Sequence, residues 1–459
     1  MQEQTKKHSL SLVESPIPVA LRRMTAPMII GMAMLFTFSL VDTLFISFLG
    51  TDPLTAISFT FPVTFMIMSL AIGLGIGTSA VVAKYMGRSD FEKAKEASTV
   101  TNYLAIFCAT VTVLICWLAL DAIFRAIGAS EEMLVLIRRY MVIWLPGSIM
   151  LVAIMNSNSI LRACGDTKTP SLVMAASGLI NATLDPILIF GLGPLPALGI
   201  AGAALATLIS WVLGFAYLSY LLIVRLELIS RIMPSREAML SSGQEMLRIG
   251  LPAAGANMMT PIAAGVMTAI VAGFGESAVA AFGVGSRIEP LATLLILAMS
   301  STLPPLISQN FGAGRLDRVT EAYRLATRFI VGWQLAVYLL LGLLAGLIAL
   351  IFSSDPEVTS AIRLYIWILP LGYGVQGIII LTNSALNALH RPFEALYLSF
   401  ARFFVFYVPL AWLGSRYFGL TGFFFGAVIG NILMAAISLR AFNRALAAEI
   451  EQEEQAEAA

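Results

Sequence analysis

Residues 24–50, MTAPMIIGMAMLFTFSLVDTLFISFLG, contain one acidic residue, Asp42, in an otherwise apolar run. The run is long enough to cross a bilayer, which takes about 20 apolar residues. Asp42 lies eight residues before Gly50, which is about 12 Å along a helix. A charge near the bilayer centre costs about 2.5–3.5 kcal/mol on insertion scales. The stretch predicts a transmembrane helix whose carboxylate faces an internal cavity; the alternative is a carboxylate that snorkels to water.

The composition of the chain is that of a membrane protein. Of its 459 residues, 58% are hydrophobic and 12% are charged, whereas soluble domains carry about 25% charged residues. The three cysteines have neither disulfide nor metal spacing. Residues 1–15 are polar, and we expect no cleavable signal peptide. We predict no catalytic residues, no metal, no cofactor and no nucleic-acid partner.

Hydrophobic runs separated by polar or Gly/Pro breaks predict an all-α membrane protein with twelve transmembrane helices. The predicted spans are 24–49, 55–83, 100–127, 133–161, 170–191, 199–224, 250–273, 279–307, 328–352, 362–387, 395–413 and 419–440. With the N-terminus in the cytoplasm, 22 of the 28 lysines and arginines fall in inner segments, Arg391 and Arg402 among them. The positive-inside rule therefore predicts that both termini are cytoplasmic.

The chain repeats itself at an offset of 225 residues, which slips to about 220 near the end. The matched landmarks include Pro27 with Pro252, Gly50 with Gly275, Gly87 with Gly312, and Gly199 and Gly202 with Gly419 and Gly422. Two halves of six helices with the same orientation form a parallel repeat, which is a known transporter plan. We predict an N-terminal bundle at 1–225, a cytoplasmic linker at 226–248, a C-terminal bundle at 249–445 and an acidic disordered tail at 446–459.

The fifth predicted helix carries a second intramembrane acid. Asn181 and Asp185 are four residues apart and share one helix face. Asp185 lies six residues before Gly191, about 9 Å from the outer end, so its depth nearly matches that of Asp42. Two carboxylates in one apolar pocket favour the binding of a proton. The alternative is that Asp185 caps the helix end and Asn181 only packs.

The second half lacks both acids, because Asp42 aligns with Met267 and Asp185 falls near Val408. The asymmetry places the predicted coupling site in the first half. In the eighth predicted helix, Arg287 and Glu289 either contact substrate or are neutralised by neighbours around a proline bend.

The remaining polar and helix-breaking residues of the first half have structural as well as functional interpretations. In the fourth helix, Asn156 and Asn158 either line the cavity or form interhelical hydrogen bonds. Pro27 removes a helical hydrogen bond, so Pro27 and Gly31 form a hinge in the first helix or a static kink. The run Gly73-Leu74-Gly75-Ile76-Gly77 indicates close helix packing.

Pro27 and Asp42 in the first helix, Gly-Asp-Thr-Lys-Thr-Pro at 165–170 and Asn181 with Asp185-Pro186 resemble the multidrug and toxic compound extrusion (MATE) family, in its DinF-like prokaryotic branch. The resemblance covers about residues 15 to 445. It implies a V-shaped pair of pseudo-symmetric six-helix bundles that exports cationic or amphiphilic compounds in exchange for H⁺ or Na⁺.

The resemblance also implies site residues. The family's first-helix acid maps to Asp42, its fifth-helix pair to Asn181 and Asp185, and its fourth-helix amide to Asn158. The chain departs from relatives at Phe38, where some have tyrosine, and at Ala203, where some have threonine, with Thr207 a turn away. The predicted cavity-lining residues are Phe38, Asn156, Thr207, Arg287 and Glu289.

These observations predict a proton-coupled multidrug antiporter of the inner membrane, in which protonation of the aspartates bends the first helix near Pro27. We expect a monomer whose partners are small cationic or amphiphilic substrates and membrane lipids. A Na⁺-coupled antiporter remains an alternative. A lipid-intermediate flippase would need a basic cavity, for which Arg287 is the only candidate. An intramembrane aspartyl protease is least favoured, because neither acid follows a Gly-x-Gly sequence.

Overall fold

The computed structural model describes residues 12–191, 196–232 and 234–458, and every regular element in these ranges is helical. The α-helices are α1 (Ile17–Ser47), α2 (Thr51–Gly87), α3 (Phe91–Leu118), α4 (Leu120–Ala126), α5 (Glu131–Ala163), α6 (Lys168–Phe190), α7 (Ile200–Tyr220), α8 (Arg236–Ala272), α9 (Glu276–Ala292), α10 (Leu294–Gly312), α11 (Leu316–Phe352), α12 (Pro356–Ile368), α13 (Tyr373–Ala388), α14 (Pro392–Phe400) and α15 (Val408–Ala458). Two π-helical segments, Leu221–Arg225 and Ala401–Tyr407, follow α7 and α14, and a 3₁₀ turn, Leu369–Gly372, joins α12 to α13.

The helices confirm the all-α membrane class and account for the predicted spans. Ten helical segments of the described residues are long and apolar enough to cross a membrane. The pair α9 and α10, which meet at a 44° bend, forms an eleventh. The last segment, Pro392–Gln455, has 64 residues, about 96 Å of helix, and is too long for one crossing of a hydrocarbon core about 30 Å thick.

A break at Phe418 and Gly419 divides this last segment into two antiparallel arms. Both residues have non-helical backbone angles, with φ of 60° at Gly419. Gly422 lies against the backbone of Gly414, and Gly426 lies against Leu410, so positions before and after the break pair in reverse order. Small residues allow such close backbone approach. The two arms hold the eleventh and twelfth predicted spans.

The internal repeat is visible in the backbone. Gly50 and Gly275, at the predicted offset of 225, have φ of 107° and 96°. Gly199 and Gly419, at the later offset of 220, have φ of 56° and 60°. These left-handed conformations suit glycine, which carries no Cβ. The same turns therefore recur at the same places in both halves.

The chain divides into two compact units. Among the described residues, the first contains Leu12 and Ala26–Ala254, and the second contains Val13–Thr25 and residues 255–458. These bounds differ from the predicted bundles, since α8 up to Ala254 belongs to the first unit. There Gly73 and Gly77 of α2 lie against the backbone of α8, as the glycine run predicted. Residues 1–11 of the predicted first bundle lie outside the described ranges.

The acidic tail also differs from its prediction. Helix α15 continues to Ala458, and Glu449 forms an ion pair of 2.9 Å with Arg391. This partner, in the turn before α14, explains why the helix extends into a segment whose composition alone indicated disorder. Residue 459 lies outside the described ranges.

Candidate functional site

From Ala26 onward, helix α1 lies beside α6 and parallel to it within the first unit. Gly31 packs against Ser171, Phe38 against Gly178, and the rings of Phe45 and Phe190 are 6.4 Å apart. The residue pairs thus advance together along both helices. This register brings Asp42 of α1 to the level of Asp185 of α6, as the matching depths predicted.

The carboxyl groups of Asp42 and Asp185 lie close enough to interact with each other. Asp185 has an exposed fraction of 0%, and Asp42 is half-buried. Asp42 Oδ1 and Asp185 Oδ2 receive no hydrogen bond from a donor group of the described residues. A carboxyl–carboxyl hydrogen bond requires a proton on one partner, because an ionised carboxylate only accepts. The arrangement is therefore chemically suited to hold one proton between two acids.

Asn181 holds Asp185 in place. Its Nδ2 donates to Asp185 Oδ1 at 3.3 Å and to Thr207 Oγ1 of α7 at 3.2 Å. Asn181 reaches Asp185 because residues four apart meet on one helix face. Gly202 lies against the backbone of Leu188, which allows α6 and α7 to approach closely enough for the Thr207 contact. The structure thus joins four of the predicted site residues: Asp42, Asp185, Asn181 and Thr207.

Tyr140 of α5 is a member of this site that sequence reasoning missed. It is buried and interacts electrostatically with both Asp42 and Asp185. Tyr140 lies seven residues after the predicted outer start of its span at residue 133, about 10 Å deep. The depth argument that paired the two acids would also have found this hydroxyl.

The oxygen atoms of the site are also suited to binding a sodium ion. Asp42, Asp185, Asn181 and Thr207 offer carboxylate, amide and hydroxyl oxygens, the ligand type that hard cations prefer. No group of three or more His, Cys, Asp or Glu residues with the geometry of a metal site occurs in the described part of the chain. The site therefore has few charged ligands for a multivalent ion, and its ligands suit a proton or a monovalent cation.

Asn158 lies elsewhere, and the structure does not bring it to the acids. It is 18 residues beyond Tyr140 on α5, which is about 27 Å along the helix. The match of the family's fourth-helix amide to Asn158 did not take this difference in depth into account. Asn158 is buried, and its Oδ1 has no donor among the described side chains and backbone.

Asn156 serves in an interhelical network and has no exposed surface. Its Oδ1 accepts from Thr78 of α2 at 2.6 Å, and its Nδ2 donates to Asn102 of α3 at 3.3 Å. Of the two readings given for Asn156, the structure matches interhelical hydrogen bonding.

The hinge residues lie in an uninterrupted helix. Helix α1 continues through Pro27 without a break. Gly31 is buried where α1 approaches Ser171, whose Oγ donates to Met28 Sδ at 3.5 Å. Gly31 thus has a packing role, and a bend at Pro27 stays a prediction. Phe38 is half-buried against Gly178, one turn before Asp42.

The second unit contains a separate polar cluster. Glu289 Oε1 accepts from Gln376 Nε2 at 2.9 Å, whereas Arg287 is exposed. Sequence reasoning missed Arg402, which it counted with the inner loop. Arg402 lies ten residues after Pro392 in a continuous helical segment, about 15 Å along it, and is only 8% exposed.

Comparisons with known proteins agree with the repeat. The MatE family model matches residues 27–187 and again 252–413. The chain is 40% identical to an FAD transporter of Shewanella oneidensis, over 92% of this chain and 94% of that protein. It is 24% identical to the probable multidrug resistance protein NorM of Thermotoga maritima, with 88% of each chain covered.

A solved structure supports the same relationship. The Vibrio cholerae MATE transporter VcmN, in its bent form, matches with a TM-score of 0.89 and 32% identity, covering 96% of this chain and 99% of that one. The family model covers more than half of the chain, and the apolar helices make it a multi-pass membrane protein. The chain therefore belongs to the MatE family and is a MATE transporter rather than an enzyme.

Proposed function

We propose that the chain is a proton-coupled exporter of the inner membrane, with both termini in the cytoplasm. The observation that carries the proposal is the close pair of acids inside the first unit, Asp42 and the fully buried Asp185, with Asn181 bound to Asp185 at 3.3 Å. A proton that enters from outside binds this pair. Each proton moving down a 100 mV potential supplies about 2.3 kcal/mol for export.

Protonation changes what the pair requires of its surroundings. The ionised form needs water or polar partners, whereas the neutral form tolerates an apolar setting. Loss of the charge therefore favours a dry site. Helix α1 then bends near Pro27, the space beside the acids shrinks, and substrate leaves outward. The return step releases the proton to the cytoplasm.

Flavin adenine dinucleotide is the first substrate candidate. It rests on the 40% identity to an FAD transporter over nearly the whole length of both proteins. Cationic or amphiphilic drugs are the second candidate. They rest on the similarity to the multidrug resistance protein NorM and on the acidic character of the Asp42 site, which attracts cations.

Transport in proteoliposomes tests the proposal. In sodium-free buffer with an imposed pH gradient, we expect wild-type protein to transport FAD or ethidium. Asp42→Asn and Asp185→Asn should abolish the dependence on the pH gradient, because an amide cannot take up the proton. Undiminished proton-driven transport by Asp42→Asn would overturn the coupling proposal.

The same assay separates the alternatives. Transport that requires a sodium gradient and ignores the pH gradient would assign coupling to Na⁺ at the same oxygens. Movement of a fluorescent lipid across the bilayer, without FAD or ethidium transport, would instead indicate a lipid-intermediate flippase.

A further inference from the structure

Arg402 is a buried cation in the apolar interior of the second unit. An ionisable side chain within a membrane span is a functional-site hypothesis by default, because burying its charge is costly. With 8% of its surface exposed, Arg402 is buried, ten residues after Pro392 in a continuous helical segment. It belongs to the π-helical segment Ala401–Tyr407, and such segments occur frequently at functional sites.

The direct partners of Arg402 leave its charge uncompensated. Its Nε donates to Asn431 Oδ1 at 3.2 Å, and its guanidinium carbon lies 4.7 Å from the ring centre of Phe403. Among the described residues, Arg402 makes no ion pair with an acid. An amide oxygen and a ring satisfy part of the guanidinium, which has five N–H donors.

An acid and a hydroxyl lie near enough to act on Arg402 electrostatically. These are Glu289 and Tyr407. Glu289 accepts a hydrogen bond from Gln376 at 2.9 Å and forms no ion pair with Arg402 among the described residues, so it acts on the arginine at longer range. Tyr365, at the position 225 residues after Tyr140, lies in the same neighbourhood, with its hydroxyl 3.5 Å from that of Tyr373. The second unit thus repeats the tyrosine of the acid site, and Glu289 and Tyr407 act electrostatically on both Tyr365 and Arg402.

We propose that Arg402 is the centre of an oxyanion subsite in the second unit, which takes a phosphoryl group of the transported substrate. The guanidinium matches phosphate geometry with two parallel N–H donors. The inference rests on the proposed export function and names its substrate class: a phosphorylated compound such as a flavin nucleotide. Glu289 limits how strongly the anion is held, which allows its release.

Flavins with and without phosphate test the subsite. We would measure the KM for FAD, FMN, riboflavin and ethidium in phosphatidylcholine proteoliposomes. Arg402→Gln should raise the KM for FAD and FMN by about tenfold or more, as expected for loss of a charge-assisted hydrogen bond. Riboflavin, which has no phosphate, and ethidium should change by less than about twofold on the same reasoning. The KM values of Arg402→Lys for FAD and FMN should lie between those of wild type and Arg402→Gln, because lysine keeps the charge but loses the paired donors.

The control variant is Arg416→Gln, which removes an exposed arginine of the same unit, 5.8 Å from the ring centre of Trp412. It should leave all four substrates unaffected. An equal loss of FAD and ethidium transport in Arg402→Gln and Arg402→Lys would show that Arg402 is merely structural and would overturn the subsite. So would an unchanged KM for FAD.

Two further outcomes separate the subsite from the proposed export function. Wild-type protein that exports ethidium but no phosphorylated flavin overturns the subsite and leaves proton-coupled export standing. Phosphatidylglycerol that competes with FAD in wild type, but not in Arg402→Gln, supports the subsite and identifies a lipid phosphate as a second source of the same chemistry.

Discussion

At the scale of single residues, the site consists of two acids whose pairing is set by depth. Asp42 and Asp185 could be found from the sequence because charges are rare in apolar spans. In addition, the two residues lie at similar distances from the outer ends of their helices. The same depth count places Tyr140 near the level of the acids and places Asn158 about 27 Å along α5 from Tyr140. Arg402 was missed because its neighbours in sequence include the basic loop.

The hydrogen bonds of Asn181 give a prediction at this scale. Asn181→Ala removes the donor to Asp185 and the donor to Thr207. A hydrogen bond to a charged group contributes about 1.5–3 kcal/mol, so we expect proton-driven efflux to fall about 10- to 100-fold. The measurement is the initial efflux rate from proteoliposomes at matched protein density.

Thr207→Val is the matched control, since it removes only the neutral hydrogen bond, which contributes about 1 kcal/mol. It should reduce efflux by less than about tenfold. If Thr207→Val impairs efflux as strongly as Asn181→Ala, the hydrogen bond from Asn181 to Asp185 does not account for the loss of efflux.

At the scale of helices, glycines decide which elements approach closely. The repeat in the sequence makes Gly202 and Gly422 equivalent positions. Each lies in a helix contact where no side chain fits. The break at Gly419 could be expected from its match to Gly199, which is also in a left-handed conformation. The assignment of the first part of α8 to the first unit was not predictable, because it depends on tertiary contacts with Gly73 and Gly77 rather than on local composition.

Two glycine substitutions test the packing of the antiparallel arms. Gly422→Ala forces a methyl group into the backbone of Gly414, and overpacking costs about 1–3 kcal/mol. We expect a lower Tm in detergent. Gly332→Ala, in α11 with no neighbouring atom within 4 Å, should raise Tm slightly, because alanine is favoured over glycine in a helix by about 0.5–1 kcal/mol. Equal shifts in both variants would rule out a tight contact at Gly422.

At the scale of the whole molecule, the chain is two copies of one helical plan with different chemistry in each. The family model matches both halves, while the acid pair occurs only in the first unit and the buried Arg402 only in the second. Exposed leucines such as Leu339, Leu343 and Leu347 of α11 lie on one helix face and suit contact with lipid. Composition and periodicity were enough to predict the membrane class and the repeat, because both depend on many residues at once.

Cysteine labelling tests the proposed orientation. In a variant whose three native cysteines are replaced by alanine, Ser354→Cys lies between α11 and α12, and Lys93→Cys lies at the start of α3; both positions are exposed. The positive-inside rule predicts that a membrane-impermeant maleimide added to intact cells labels Ser354→Cys alone. Labelling of Lys93→Cys before lysis would reverse the orientation.

In the proposed mechanism, Asp42 and Asp185 share a proton that substrate binding displaces. The most direct measurement is proton release, read with a pH indicator in weakly buffered detergent solution, when substrate is added to purified protein. We predict about one proton released per substrate bound by wild type, as expected for two carboxyl groups that share one proton, and none by Asp42→Asn. Release by Asp42→Asn that equals wild type, at equal substrate occupancy, would contradict the account.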